Sequence, residues 1–216
     1  MQSYNYSGLT FEIVGQLFDL DLQAGEWQPA QGELVEKDIL QIGLLRERLR
    51  EDLLSLMNEA TVWDRAIYPL LAMAEQRPCT AWSQINLGAV FKEFSLTGYV
   101  DGVVGMSRAG HLVAPYLIVV EAKKRLEANN PQLQVYGAML AAAKLNWEHK
   151  EIEPQTIYGC YTINDTWTFL RGQAECFMAD KPRLTVGLSR EYSERAEAET
   201  ILQILKAIIH RSPITR

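Results

Sequence analysis

With 216 residues, 48% of them hydrophobic and 22% charged, the chain has ordinary globular composition and enough length to bury one sizeable core. That excludes disordered and fibrous classes, and the longest apolar run, residues 116–120, falls far short of the ~20 residues that cross a bilayer. A net charge of −6 and a pI near 5.2 argue against a nucleic-acid coat protein, but leave room for an enzyme that meets nucleic acid through a local basic patch.

Residues 1–36 mix aromatic and apolar positions with Gly25, Pro29 and Gly32, which predicts irregular structure and one short hairpin over 9–22. Ile39, Ile42, Leu45, Leu49, Leu53 and Leu56 then recur every three or four residues, predicting an amphipathic helix over 37–58 with its arginines outward. A second helix is expected over 61–76, with Trp63, Ile67, Leu70, Leu71 and Ala74 inward and a kink or restart at Pro69. Beyond Pro78 the pattern turns β-rich, with strands expected over 82–93, 99–105 and 113–122. Asn129 or Asn130 before Pro131 predicts the start of a helix that runs to Asn146. Strands over 157–163 and 166–170 follow, joined by the tight turn Asn164-Asp165, and a last helix over 192–210. The order predicts an α/β domain with one central mixed sheet flanked by helices. Residues 1–57 are expected to form an N-terminal extension carrying the amphipathic helix, and 58–216 the core with its C-terminal helix.

Several familiar chemistries find no support. Cys79, Cys160 and Cys176 form no CxxC pair and are expected as reduced thiols, and His111, His149 and His210 stand apart, without zinc-ligand spacing. GxSxG, GxxxxGK[ST] and GxGxxG are all missing. The opening Met1-Gln2-Ser3-Tyr4-Asn5 has neither the basic start nor the apolar core of a secretory signal, so a cytoplasmic address is expected. Basic clusters at Arg46/Arg48/Arg50, Lys123/Lys124/Arg125 and Lys181/Arg183 are expected mainly as solvated faces.

One constellation carries chemistry. In Tyr99-Val100-Asp101-Gly102-Val103-Val104, strand alternation sets Asp101 opposite Val100 and Val104. In Leu117-Ile118-Val119-Val120-Glu121-Ala122-Lys123, period two sets Glu121 and Lys123 on one face, at the end of a run apolar on both faces. Charges ending such a strand are costly without partners or a ligand. An ion between Asp101 and Glu121 would satisfy both carboxylates, and hard oxygen donors suit Mg²⁺ or Mn²⁺. The competing reading is a structural ion pair, which explains most isolated Glu-x-Lys sequences.

Asp on one strand, Glu-x-Lys ending the next, and a helix opening Gln132-x-x-x-Tyr136 together resemble the PD-(D/E)XK nuclease superfamily, whose fold is restriction-endonuclease-like. The resemblance covers about residues 58–172. Its nearer form is the nuclease domain of type I restriction motor subunits, whose leading helix carries an acid before an Ile-x-Pro-x-Leu run. Asn58-Glu59 and Ile67-Tyr68-Pro69-Leu70-Leu71 look similar and imply Glu59 as a further metal ligand, with Asp64 as the competing acid. Val100 stands where the motif's proline would, and no helicase motor accompanies the motif, so translocation is not implied. The resemblance implies metal-dependent phosphodiester hydrolysis on nucleic acid, DNA ahead of RNA. Asp101, Glu121 and the Ala122 carbonyl would hold the ion, Lys123 would orient water or stabilise charge, and Gln132 would position water or phosphate. Tyr136 is expected in the core. A silent binding or assembly subunit is the alternative, with a second copy of the chain as a candidate partner and a membrane excluded.

Overall fold

The computed structural model describes residues 1–123 and 130–210. Its frame is one mixed sheet of eight strands among the described residues, flanked by helices on both faces. The long antiparallel pair β3 (Cys79–Val90) and β4 (Phe94–Arg108) runs along one side. On its other edge β4 carries two strands in succession: β1 (Gln2–Asn5), parallel, against Phe94 to Thr97, and β5 (His111–Lys123), antiparallel, against Gly102 to Arg108. Parallel β6 (Gln155–Ile163), then β7 (Thr166–Glu175), β8 (Arg183–Ser193) and β2 (Asp19–Glu26) complete the order β1-β4-β5-β6-β7-β8-β2. The strand ending in Glu121 and Lys123 is therefore interior, as its unbroken apolar run requires: Ile118, Val119 and Val120 are buried, and they feed cores on both faces.

On one face, α5 (Pro131–Lys150) lies across the middle strands. Asn130 caps it, its side chain accepting from Gln132 N at 2.9 Å, and Pro131 fills the first helical position. Asn129, the other cap candidate, lies outside the described residues. The outer side of α5 is covered by the chain's first residues: a Cβ on Gly137 would stand 2.6 Å from Leu9 Cδ1 and 3.1 Å from the Tyr6 ring. Residues 9–22 are not the expected hairpin. Thr10 accepts from Ile13 N at 3.2 Å and starts the helix α1 (Phe11–Leu17), whose Val14 and Leu17 pack against the same core, and β2 follows and pairs with distant β8. Residues 1–57 thus contribute two strands to the sheet and helices to both faces.

The opposite face holds α2 (Glu36–Glu51), α3 (Glu59–Val62), α4 (Tyr68–Ala74) and α6 (Glu194–His210). Ile42, Leu45 and Leu49 bury one stripe of α2, but the helix ends seven residues before the expected limit, and Ile39, Leu53 and Leu56 are solvent-exposed. The helix expected over 61–76 is interrupted by a π-helical turn, Trp63–Ile67, and α4 restarts with Pro69 in its first turn. Proline cannot donate to the preceding turn, and a widened turn before it relieves the clash. β1 and β8 form where the sequence predicts no strand, although Leu184, Val186 and Leu188 alternate in β8, and β7 continues to Glu175. No helix among the described residues is long and apolar enough to cross a membrane.

Glu194, at the head of α6, is fully buried. It accepts from Trp167 Nε1 at 2.9 Å, while its Oε1 has no partner among the described residues. Burial pushes its pKa up to about 8, with the Asp165 charge adding to the rise and the Trp167 bond and Arg195 opposing it. The folded state therefore binds a proton that the unfolded state releases near pH 4.5. Stability from this group is complete below that value and declines as pH rises toward about 8, at up to about 1.4 kcal/mol per unit. Chemical denaturation across this range should show wild type losing stability and Glu194→Gln losing distinctly less.

Candidate active site

The site forms where β4 changes partners. β1 ends at Asn5, opposite Thr97, and β5 leaves its ladder after Val120, opposite Gly102, so the two strand ends face each other across residues 98–101 of β4. A cavity of about 360 Å³ opens there, lined by Asn5, Ser7, Tyr99, Asp101, Glu121, Lys123 and Gln134. Behind it, a Cβ on Gly102 would stand 2.4 Å from the Trp63 ring, and Trp63 Nε1 donates to Ser83 Oγ at 3.0 Å. That close approach docks the leading helical segment against the strand that carries Asp101.

Asp101 is held at both oxygens: Oδ1 accepts from Gln84 Nε2 at 3.0 Å and Oδ2 from Ala122 N at 2.8 Å. What Ala122 brings to Asp101 is thus its N–H. Glu121 is buried, and Lys123 Nζ stands 2.9 Å from its Oε1. Burial raises the Asp101 pKa, opposed by the Ala122 bond, Lys123 and Gln84. Glu121 is pushed up to about 7, first by burial and then by Asp101, with Lys123 opposing. Burial alone would lower Lys123, yet the surrounding carboxylates outweigh it and raise its pKa. The negative charge of Glu59 acts on all three groups, whereas that of Asp64 acts on Tyr68. Glu59 is exposed at the start of α3, where Asn58 accepts from Thr61 N at 2.8 Å.

Asp101, Glu121 and Lys123 therefore meet, with Glu59 in electrostatic range. Gln132 does not line the cavity; its Nε2 donates to Tyr161 Oη at 2.9 Å. Tyr136 is fully buried, and its hydroxyl has no partner among the described residues. The glutamine at the cavity is Gln134, which reading along the chain passed over because an apolar neighbourhood on a buried helix gave it no distinguishing mark. Asn5 and Ser7 were also missed, since only the pairing of β1 with β4 carries them to the site. Lys124 and Arg125 lie outside the described residues. Of the other basic clusters, Arg46 pairs with Glu199, Lys181 bonds Gly15 O and Arg183 pairs with Glu175.

No group of three or more His, Cys, Asp or Glu side chains able to hold a metal occurs among the described residues. The oxygen donors that meet are the two carboxylates. Among the described residues three acids act on the site against one lysine, a balance that favours a cation. Asp101 and Glu121 also keep unused lone pairs, and an ion of the magnesium kind commonly binds one or two carboxylates and fills its shell with water. The donor set fits such an ion. No family model and no curated protein matches the sequence.

Proposed function

We propose that the chain is a divalent-metal-dependent nuclease of the restriction-endonuclease-like kind, hydrolysing phosphodiesters of nucleic acid, with DNA ahead of RNA as substrate. The observation that carries this reading is the convergence of Asp101, Glu121 and Lys123 in one cavity at the ends of two strands. Asp101 and Glu121 would hold Mg²⁺ or Mn²⁺, with Glu59 contributing long-range field and the Ala122 carbonyl a further oxygen. When bound, such an ion would supply Lewis acidity toward the phosphate and lower the pKa of an attacking water. Lys123 places its ammonium beside Glu121, where it stabilises charge developing on the phosphate oxygens. Gln84 and Ala122 N–H fix the Asp101 carboxylate in its orientation. Gln132, held by Tyr161, is assigned to positioning α5, and Gln134 takes the role of touching substrate.

Two experiments test this. Purified protein should cleave single- or double-stranded DNA or RNA with added Mg²⁺ or Mn²⁺ and stop with EDTA; inertness toward every one of these would remove the enzyme reading. Mn²⁺ at a hundred times its dissociation constant should stabilise the fold by about 2.7 kcal/mol, a melting-temperature rise of roughly 5–10 °C. Asp101→Asn should abolish that rise.

A silent assembly subunit is the second reading, and α2 favours it. Ile39, Leu40 and Leu44 are exposed around Gly43, whose outer side is open. Glu36, Lys37, Arg50 and Glu51 make no ion pair with another described residue. Antiparallel apposition of two copies about Gly43 would bring Glu36 of each copy to Arg50 of the other, a self-complementary arrangement. Sedimentation equilibrium should then show a dimer that Leu44→Asp converts to monomer; a monomeric wild type removes this reading.

A further inference from the structure

We infer that the neutral wall of the cavity, Asn5, Ser7, Tyr99 and Gln134, receives an unpaired nucleobase, so that the substrate class is single-stranded nucleic acid; this rests on the proposed nuclease reading for the phosphate at the charged floor.

Gln134 is the first observation. It is 7% exposed, lines the cavity, and makes no hydrogen bond with another described residue. Its amide atoms open on the cavity rather than into the packed core, so they are free to pair with a group that enters. Its two donors and one acceptor match the mixed donor–acceptor Watson–Crick edge of a base. In a duplex that pairing edge is occupied; in a single strand it is free.

The rim supplies the second observation. Tyr99, two residues before Asp101 on β4, is 68% exposed and makes no ring contact with another described residue. An open aromatic face beside a phosphate-binding floor is the usual platform for an unstacked base. Tyr6 is fixed below the rim, its hydroxyl donating to Leu87 O at 3.0 Å, and its neighbour Asn5 is held by Ser7, whose N and Oγ both donate to Asn5 Oδ1. The Asn5 amide nitrogen is left to donate.

Size and charge decide against a duplex. About 360 Å³ is near the lower end of ligand pockets, roughly 300–1,000 Å³, and suits one nucleotide rather than paired strands. Duplex affinity comes mainly from neutralising many phosphates. Among the described residues the cavity offers one cation, Lys123, on a chain of net charge −6. Stacking and base-edge bonds must then carry the affinity, and both need unpaired bases.

Fluorescence anisotropy on wild type tests this, using a labelled single-stranded oligodeoxynucleotide, the RNA of the same sequence, and the same DNA annealed to its complement. EDTA is present throughout, so that no strand is cleaved. Single strands should bind at least about tenfold more tightly than duplex, with a shallow salt dependence. Tyr99→Ala and Gln134→Ala should each weaken single-strand binding by about tenfold, and Tyr99→Phe should preserve it. The two single strands together separate DNA from RNA as the source of the base. Equal affinity for duplex, no measurable binding of any strand, or indifference to Tyr99→Ala overturns the inference. Cleavage with Mn²⁺, measured alongside, keeps the two ideas apart. Duplex cut as fast as single strand refutes single-strand selection while the nuclease reading stands, and selective single-strand binding without cleavage does the reverse.

Discussion

Lys123→Ala should lower metal-dependent cleavage by ~10²–10³-fold while the Mn²⁺-induced rise in melting temperature survives. The ammonium is 2.9 Å from Glu121 Oε1 and half-buried, so it acts in a site where charge is poorly screened. It has no oxygen to offer an ion, and its removal leaves the Asp101 and Glu121 carboxylates in place. On the proposed reading its contribution would fall on charge that develops only as the phosphodiester reacts, which is the kind of interaction that raises turnover rather than affinity. Single-turnover cleavage together with a thermal shift in Mn²⁺ separates the two roles. Loss of the Mn²⁺ shift in the variant would show instead that Lys123 serves to hold Glu121 in position. Lys123→Arg should rescue poorly, because a planar fork does not reproduce a compact ammonium.

Trp167→Ala should cost about 3–5 kcal/mol, in a domain whose whole stability is of order 5–15 kcal/mol. Trp167 is fully buried, stacks on Phe169 with centroids 5.9 Å apart, and donates the hydrogen bond that Glu194 receives. The truncation opens a cavity between sheet and α6, and it also leaves a buried carboxyl with no partner. A fall in melting temperature of roughly 10 °C or more is expected. Trp167→Phe keeps most of the packing but loses the donor and three ring atoms, so its cost should be nearer 1–3 kcal/mol. Equal effects for Ala and Phe would mean that the Glu194 bond, rather than packing, dominates.

What could be read along the chain was what depends on neighbours in sequence. The unbroken apolar run before Glu121 implied an interior strand, because a strand buried on both faces cannot alternate; β5 is flanked by β4 and β6. The Asn130-Pro131 start of α5 was legible because capping is settled within one turn. Period two placed Glu121 and Lys123 on one face, and their ion pair follows from that spacing. Where the helix stopped short of the local pattern, the pattern misled: Leu53 and Leu56 keep the helical spacing of Leu45 and Leu49, yet they are 66% and 73% exposed because α2 ends at Glu51 and no described element covers them.

The composition, the interior position of β5 and the Asp101, Glu121 and Lys123 set were determined by the sequence itself, through periodicities that any backbone of that type must obey. Only the tertiary structure decided which acid, amide and hydroxyl groups join them. Glu59 rather than Asp64 acts on the carboxylates, Gln134 rather than Gln132 lines the cavity, and Asn5 and Ser7 enter from the far end of the chain. Each of those choices turns on the rotation of a helix or the pairing of strands some ninety residues apart, as with Asn5 and Thr97. Packing of whole faces settles such matters, and one-dimensional spacing carries no record of it.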